Sequence, residues 1–131
     1  ATSPSHELAN NTKVTFDDLH DEKILTLEDG HCLRDQAMGY CFSAGAEEDH
    51  SFRATSLETL RYMVASNMGI TLLPQLATIN YAPQQHIHYI PFEHPQPVRE
   101  IVLLCRVGYA RMESVRAIVK EVRKAVDGLF N

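Results

Sequence analysis

Cys32 and Cys41 are the residues of this chain best suited to covalent chemistry, and they stand nine positions apart in "EDGHCLRDQAMGYCFSAG" (Glu28 to Gly45). The stretch after Gly30 reads as a helix, with Leu33, Ala37, Cys41 and Ala44 at intervals of three or four and no proline. A cysteine in the first turn of a helix feels the positive end of the macrodipole, which favours the thiolate. His31 and Arg34 adjoin Cys32 and can add positive potential. Asp35 cuts the other way, though it can accept hydrogen bonds from first-turn amides and hold a proton for a leaving oxygen. The same spacing also suits a small buried Cys32 with its charged neighbours facing solvent. Cys41 falls on the apolar stripe between Tyr40 and Phe42 and is expected in the core, as is Cys105 in the apolar run "EIVLLCRV".

An activated thiolate and a second cysteine suffice for a peroxide or disulfide sensor. The first is oxidised to a sulfenic acid and the second condenses with it. On a continuous helix nine steps turn about 900° and rise roughly 13–14 Å, placing the thiols on opposite faces. A disulfide tolerates a Cα separation of only about 4.4–6.8 Å. Such a bond therefore requires the helix to unwind. Gly39 inside it costs up to about 1 kcal/mol relative to alanine, Gly45 bounds it, and the acidic "EEDH" (Glu47 to His50) beyond reads as loop. Closing a loop of about ten residues constrains the alternatives by about 2.7 kcal/mol in the chain-entropy model, enough to compete with a short helix. The bistable element runs from Cys32 to about Glu48.

Other chemistries find less support. His20, His31, Cys32, Cys41 and His50 lie close in sequence, but no cysteines are paired at the short spacing of structural zinc sites, so no metal is expected. A cysteine hydrolase needs a base aimed at Cys32. His31 is adjacent in sequence, which seldom aims an imidazole correctly, and His86, His88 and His94 could approach only through the tertiary fold.

The surrounding elements must hold these groups. "KILTL" (Lys23 to Leu27) reads as a buried strand, "HSFRAT" (His50 to Thr55) as a second, "ITLLP" (Ile70 to Pro74) as a third, and "IHYIPF" (Ile87 to Phe92) as an edge strand. "EIVLLCRV" (Glu100 to Val107) is the most strand-like run. "TSLETLRYMVASNMG" opens on Thr55-x-x-Glu58, a capping-box spacing, with Leu57, Leu60, Val64 and Met68 as its stripe and Gly69 as its stop. A last helix carries Val115, Ile118, Val119, Val122, Val126 and Leu129 on one face. Alternating strands and helices predict an α/β layered domain with a largely parallel sheet. Asn80–Gln85 and "EHPQPVR" (Glu93 to Arg99) read as loops, the second marking a crossover. In such sheets ligands bind beyond the carboxyl ends of strands, and Cys32 follows the first strand at such an end.

At 131 residues and 44% hydrophobic, the chain can bury one ordinary core. Twelve basic against seventeen acidic residues give a net charge of −5, and the cationic stretch Arg111–Lys124 interleaves with an apolar stripe. The chain is not expected to bind nucleic acid by itself. No apolar run spans a membrane and no leader opens the sequence. The polar first residues, 1–12, are expected to be loose, and the lack of an initiator Met suggests a piece of a longer protein. Three cysteines without a secretion signal point to a cytoplasmic setting, where a disulfide would be transient.

These residues carry a family resemblance. "LEDGHCLRDQAMGYCFSAGA" resembles the redox segment of the OxyR family, the hydrogen-peroxide-sensing LysR-type transcription regulators, and "FRATSLETLRYMVASNMGITLLP" continues it without a gap. With "PQPVREIVLLCR" and the final helix, the resemblance extends over most of the chain from about Phe16. It implies a periplasmic-binding-protein-like (type II) LysR effector-binding domain, here mainly the second lobe (1–98) followed by the crossover strand and C-terminal helix (99–131). The DNA-binding domain and the first lobe are absent on this reading. The resemblance also implies that Cys32 is the peroxidatic thiol and Cys41 the resolving one. His31, Arg34 and Asp35 would shape the pocket and Arg99 of "PVRE" would approach the reduced thiol. Cys105 has no implied role.

The partners it implies are hydrogen peroxide, a second copy of the chain in a homodimer or homotetramer, and a cellular thiol reductant. DNA and RNA polymerase would be met only through the full-length protein. No cofactor is implied, and a sensor consumed stoichiometrically is not an enzyme. Two other readings stand beside this one, a small-molecule effector-binding module and a thiol peroxidase-like enzyme.

Overall fold

The structure, a computed structural model, describes residues 1–79 and 86–130. The expected loop Asn80–Gln85 lies outside the described residues. The chain divides into two compact units, Ala1–Arg99 and Glu100–Asn131.

In the first unit the order is β1 (Lys23–Leu27), α1 (Cys32–Ser43), β2 (Glu47–Ala54) and α2 (Leu57–Ala65). The two strands pair in parallel, as expected of a strand–helix–strand crossover. The five residues of "KILTL" form a strand because alternate side chains find a hydrophobic layer on each face. Ile24 packs on the α1 side with Leu19, Met38, Cys41, Ala46 and Ile70, while Leu25 and Leu27 pack on the α2 side with Ala54, Leu60 and Val64. The pairing register jumps from Ile24 opposite Glu48 to Thr26 opposite Arg53. This bulge absorbs the extra residues of β2 and leaves Phe52 exposed.

Several expectations need correction. β2 begins at Glu47, so the acidic "EEDH" is strand rather than loop. It is tolerated there because Glu48 has cationic partners on the side of the sheet that faces α1. α2 is capped by Ser56, whose hydroxyl accepts from the Thr59 amide at 3.1 Å, not by Thr55. That helix ends when Asn67 turns to φ 58°, before Gly69 is reached. Gly69 instead permits a close approach, since a Cβ there would lie 2.8 Å from the Lys23 carbonyl oxygen. "ITLLP" and "IHYIPF" form no extended strands. They contribute single bridges, Ile24 to Ile70, Thr2 to His88 and Val14 to Phe92. Residues 1–12 are not loose throughout: Thr2 and Ser3 are buried, the Thr2 amide donates to the His88 carbonyl, and Glu7–Asn10 forms a 3-10 turn.

In the second unit, "EIVLLCRV" makes no strand among the described residues, and Cys105 is exposed rather than buried. A strand needs an edge to pair with, and among the described residues none pairs with this run. α3 (Met112–Phe130) is a 19-residue helix, as expected, with Ile118, Val122, Val126 and Leu129 exposed.

Candidate functional site

Cys32 is the first residue of α1 and is exposed, whereas Cys41, near the other end, is fully buried. The helix thus presents one thiol to solvent and the other to the core, and both are free. His31 is the N-cap residue, extended in backbone (ψ 113°), but its ring makes no capping hydrogen bond. The first-turn amides of α1 are directed toward the region of Cys32.

Arg99 approaches this thiol. Its Nη2 lies 3.7 Å from Cys32 Sγ, bringing together two residues 67 positions apart. Cys41 sits against Leu19, Ile24, Met38, Ala46 and Ile70. Burial pushes its thiol up to about 11, so it stays protonated at neutral pH while α1 is folded.

Arg34 is placed differently from the expectation that it adds positive potential at Cys32. Its guanidinium grips Glu48 in a fork, with Nη2 2.9 Å from Oε1 and 2.8 Å from Oε2 and Nε 3.2 Å from Oε1. Arg34 Nη1 also meets Asp29 at 3.2 Å and Asp35 at 3.5 Å. Asp35 is therefore engaged by Arg34 rather than standing clear beside the thiol.

The carboxylate at the centre of this network was not anticipated from the sequence. The Glu48 side chain is 2% exposed, accepts from Thr26 Oγ1 at 2.8 Å, and has Arg53 Nε 3.7 Å away. Arg53 Nη1 in turn reaches Asp29 at 2.7 Å. Burial alone would raise the Glu48 carboxyl, but the hydrogen bonds from Thr26 and Arg34 and the charges of Arg34 and Arg53 outweigh it and hold the group below its ordinary value. The same partner, Glu48, raises Arg34 first through its hydrogen bonds. This network ties the first turn of α1 to both strands.

A second unanticipated group is the Tyr40 hydroxyl, which bonds the backbone of Val98. Nothing local in the sequence marks either residue, because their partners come from distant positions. A cavity of about 420 Å³ opens beside α1, bounded by Leu33, Ala37, Tyr40, Leu72, Phe92 and Arg99. Among the described residues no group of His, Cys, Asp and Glu is arranged to hold a metal ion. None of their helices is long and apolar enough to cross a membrane.

Residues 1–127 match the LysR substrate binding domain, a type II periplasmic-binding-protein-like fold. The chain is 50% identical over 126 residues to the DNA-binding transcriptional dual regulator OxyR of Escherichia coli K12, covering 96% of this chain and 41% of that protein. Two solved structures are similar over 99% of this chain. The reduced form of OxyR has a TM-score of 0.83 at 44% identity, with 60% of its chain covered. The oxidised form has a TM-score of 0.81 at 48% identity, with 61% covered. The chain spans 41% to 44% of the length of the first curated relatives it matches. By these matches the chain belongs to the LysR substrate binding domain family, where its relatives are the OxyR-type hydrogen peroxide-inducible gene activators.

Proposed function

We propose that this chain is the redox-sensing part of a hydrogen-peroxide-responsive, cytoplasmic transcription regulator. The observation that carries the reading is the Arg99 guanidinium 3.7 Å from an exposed Cys32 thiol at the start of α1, with a second thiol buried on the same helix. The cation faces the sulfur and the first-turn amides point to the same end of α1, so negative charge on the sulfur meets positive partners there. The Cys32 thiolate attacks one oxygen of hydrogen peroxide and breaks the O–O bond, and the other oxygen leaves as water after taking a proton. Cys32 is then a sulfenic acid.

Cys41 attacks the sulfenic sulfur, forms the disulfide and releases a second water. Since Cys41 starts buried and protonated, it must leave the core first, and α1 must unwind to bring the sulfurs together. His31 precedes the first turn of α1, which carries Asp35 and is tied to β2 by the Arg34–Glu48 pair. Two equivalents of a cellular thiol return the disulfide to two thiols through a mixed disulfide and leave joined as a disulfide of their own. The refolded segment would alter contacts in a homodimer or homotetramer, and through the full-length protein the contacts with DNA and RNA polymerase. As the chain is consumed once per oxidation, it acts as a sensor and not as an enzyme.

The test is disulfide mapping by mass spectrometry before and after one equivalent of hydrogen peroxide, with far-UV circular dichroism alongside. The expected result is a Cys32–Cys41 bond formed together with loss of helix signal. Oxidation that stops at the sulfenic or sulfinic stage with helicity unchanged would overturn the switch. The cavity beside α1 favours a second reading, an effector-binding module. On that reading Cys32→Ser would leave the response to an effector intact.

A further inference from the structure

Tyr40 stands one residue before the buried Cys41, yet its hydroxyl engages a different part of the chain. It donates to the Val98 carbonyl oxygen at 2.8 Å and accepts from the Val98 amide at 3.3 Å. Its ring stacks on Phe16 with centroids 6.1 Å apart, and Phe16 lies 5.3 Å from Phe92. The stretch from Phe92 is tied at its start by the Glu93 amide, which donates to the Val14 carbonyl, and by the Gln96 side chain, which donates to the Phe92 carbonyl. Tyr40 secures the far end of that stretch, and the next residue after Val98 is Arg99.

Arg99 is exposed and makes its contact with Cys32 from a long, rotatable side chain. Such a side chain holds a thiolate only as well as its own backbone is held, because each added degree of freedom dilutes the bonded geometry. One hydroxyl that serves both the N–H and the C=O of a residue fixes that peptide much as a neighbouring strand would. We infer that Tyr40 is a positioning residue, whose hydroxyl fixes the backbone at Val98 and so holds Arg99 over Cys32.

The inference rests on the peroxide-sensing reading and deepens it. Tyr40 rides on α1, so unwinding of the helix withdraws the anchor once the Cys32 thiolate has become a neutral sulfenic acid and before the disulfide closes. Arg99 is then released. Arg34 does not substitute for it, being engaged by Glu48, Asp29 and Asp35. The remaining ionisable neighbours of Cys32 along the helix start are His31 and Asp35.

Tyr40→Phe tests this, since it keeps the ring on Phe16 and removes only the hydroxyl. The measurement is the rate of Cys32 alkylation by iodoacetamide as a function of pH in the 131-residue chain, read on the Cys32 peptide by mass spectrometry. Tyr40→Phe should slow alkylation at neutral pH by about two- to twelvefold, the worth of a typical hydrogen bond, and leave the limiting rate at alkaline pH unchanged. Arg99→Ala should slow it at least as much, and Tyr40→Phe should add nothing in the Arg99→Ala background.

An unchanged profile in Tyr40→Phe, or full slowing that persists without Arg99, would overturn the inference. Treating the wild-type chain with peroxide in parallel separates the two ideas. Failure of the Cys32–Cys41 bond there would sink the sensing reading while leaving the alkylation result to stand or fall by itself.

Discussion

Glu48 shows how much of this site depends on one buried carboxylate. Two arginines and a threonine surround it, and three of the hydrogen bonds come from Arg34. Removing its charge while keeping its shape, by Glu48→Gln, should cost about 1.5–3 kcal/mol near neutral pH, the range for hydrogen bonds to charged groups. The carboxyl lies below its ordinary value of 4.5 in the folded chain. A carboxylate depressed in this way stabilises the fold fully above the unfolded value, and the contribution is lost as pH falls through the lower folded value. Urea denaturation of wild type and Glu48→Gln should therefore show a stability gap that is constant above about pH 5 and closes on acidification. No gap at any pH would mean that Glu48 contributes shape rather than charge. The sequence could not reveal this residue. Its partners Thr26 and Arg34 lie 22 and 14 positions away, so nothing distinguishes Glu48 from its acidic neighbours until the strand is paired.

The elements that were legible were those whose signal is local. The alternation of "KILTL", the spacing along "CLRDQAMGYCFS" and the stripe of α3 each predict the element observed, because burial or helical period acts within a few residues. The runs that differ are apolar segments whose composition predicts strands. "ITLLP" and "IHYIPF" have strand-like composition, but a strand exists only where a neighbouring edge accepts its hydrogen bonds, and these runs obtain single bridges. Of the candidate residues, Cys32 and Cys41 stand out by their spacing and the approach of Arg99 to Cys32 accords with the resemblance, while the partner of Arg34 has no local signal.

α1 itself bears the next prediction. Gly39 is exposed, and a Cβ built there meets nothing within 4 Å, so alanine fits without strain. Gly39→Ala should stabilise the helix by up to about 1 kcal/mol and slow disulfide formation after sulfenic acid formation by up to about fivefold. Rapid-quench trapping of the sulfenic acid would time this step. An unaltered rate would mean that condensation does not wait for the helix to unwind.

At the scale of the whole molecule, the two units differ in how well their backbones are supported. The first holds two hydrophobic layers about a parallel strand pair. In the second, Ile101, Leu104 and Val107 are exposed, Val107 at 99%, and no backbone amide of residues 100–107 donates a hydrogen bond to another described residue. Such a run has the composition of a central strand and the environment of a loop. Amide exchange reports this difference directly, since protection requires a hydrogen bond that must open before exchange. By mass spectrometry, peptides covering 100–107 should exchange at close to the unprotected rate, while those covering Lys23–Leu27 should exchange slower by a factor of about a thousand or more, as global unfolding free energies imply. Slow exchange across 100–107 would mean that the run has found an edge to pair with. If that edge belongs to a second copy of the chain, protection should grow with protein concentration, and if it lies within one chain, protection should be independent of it.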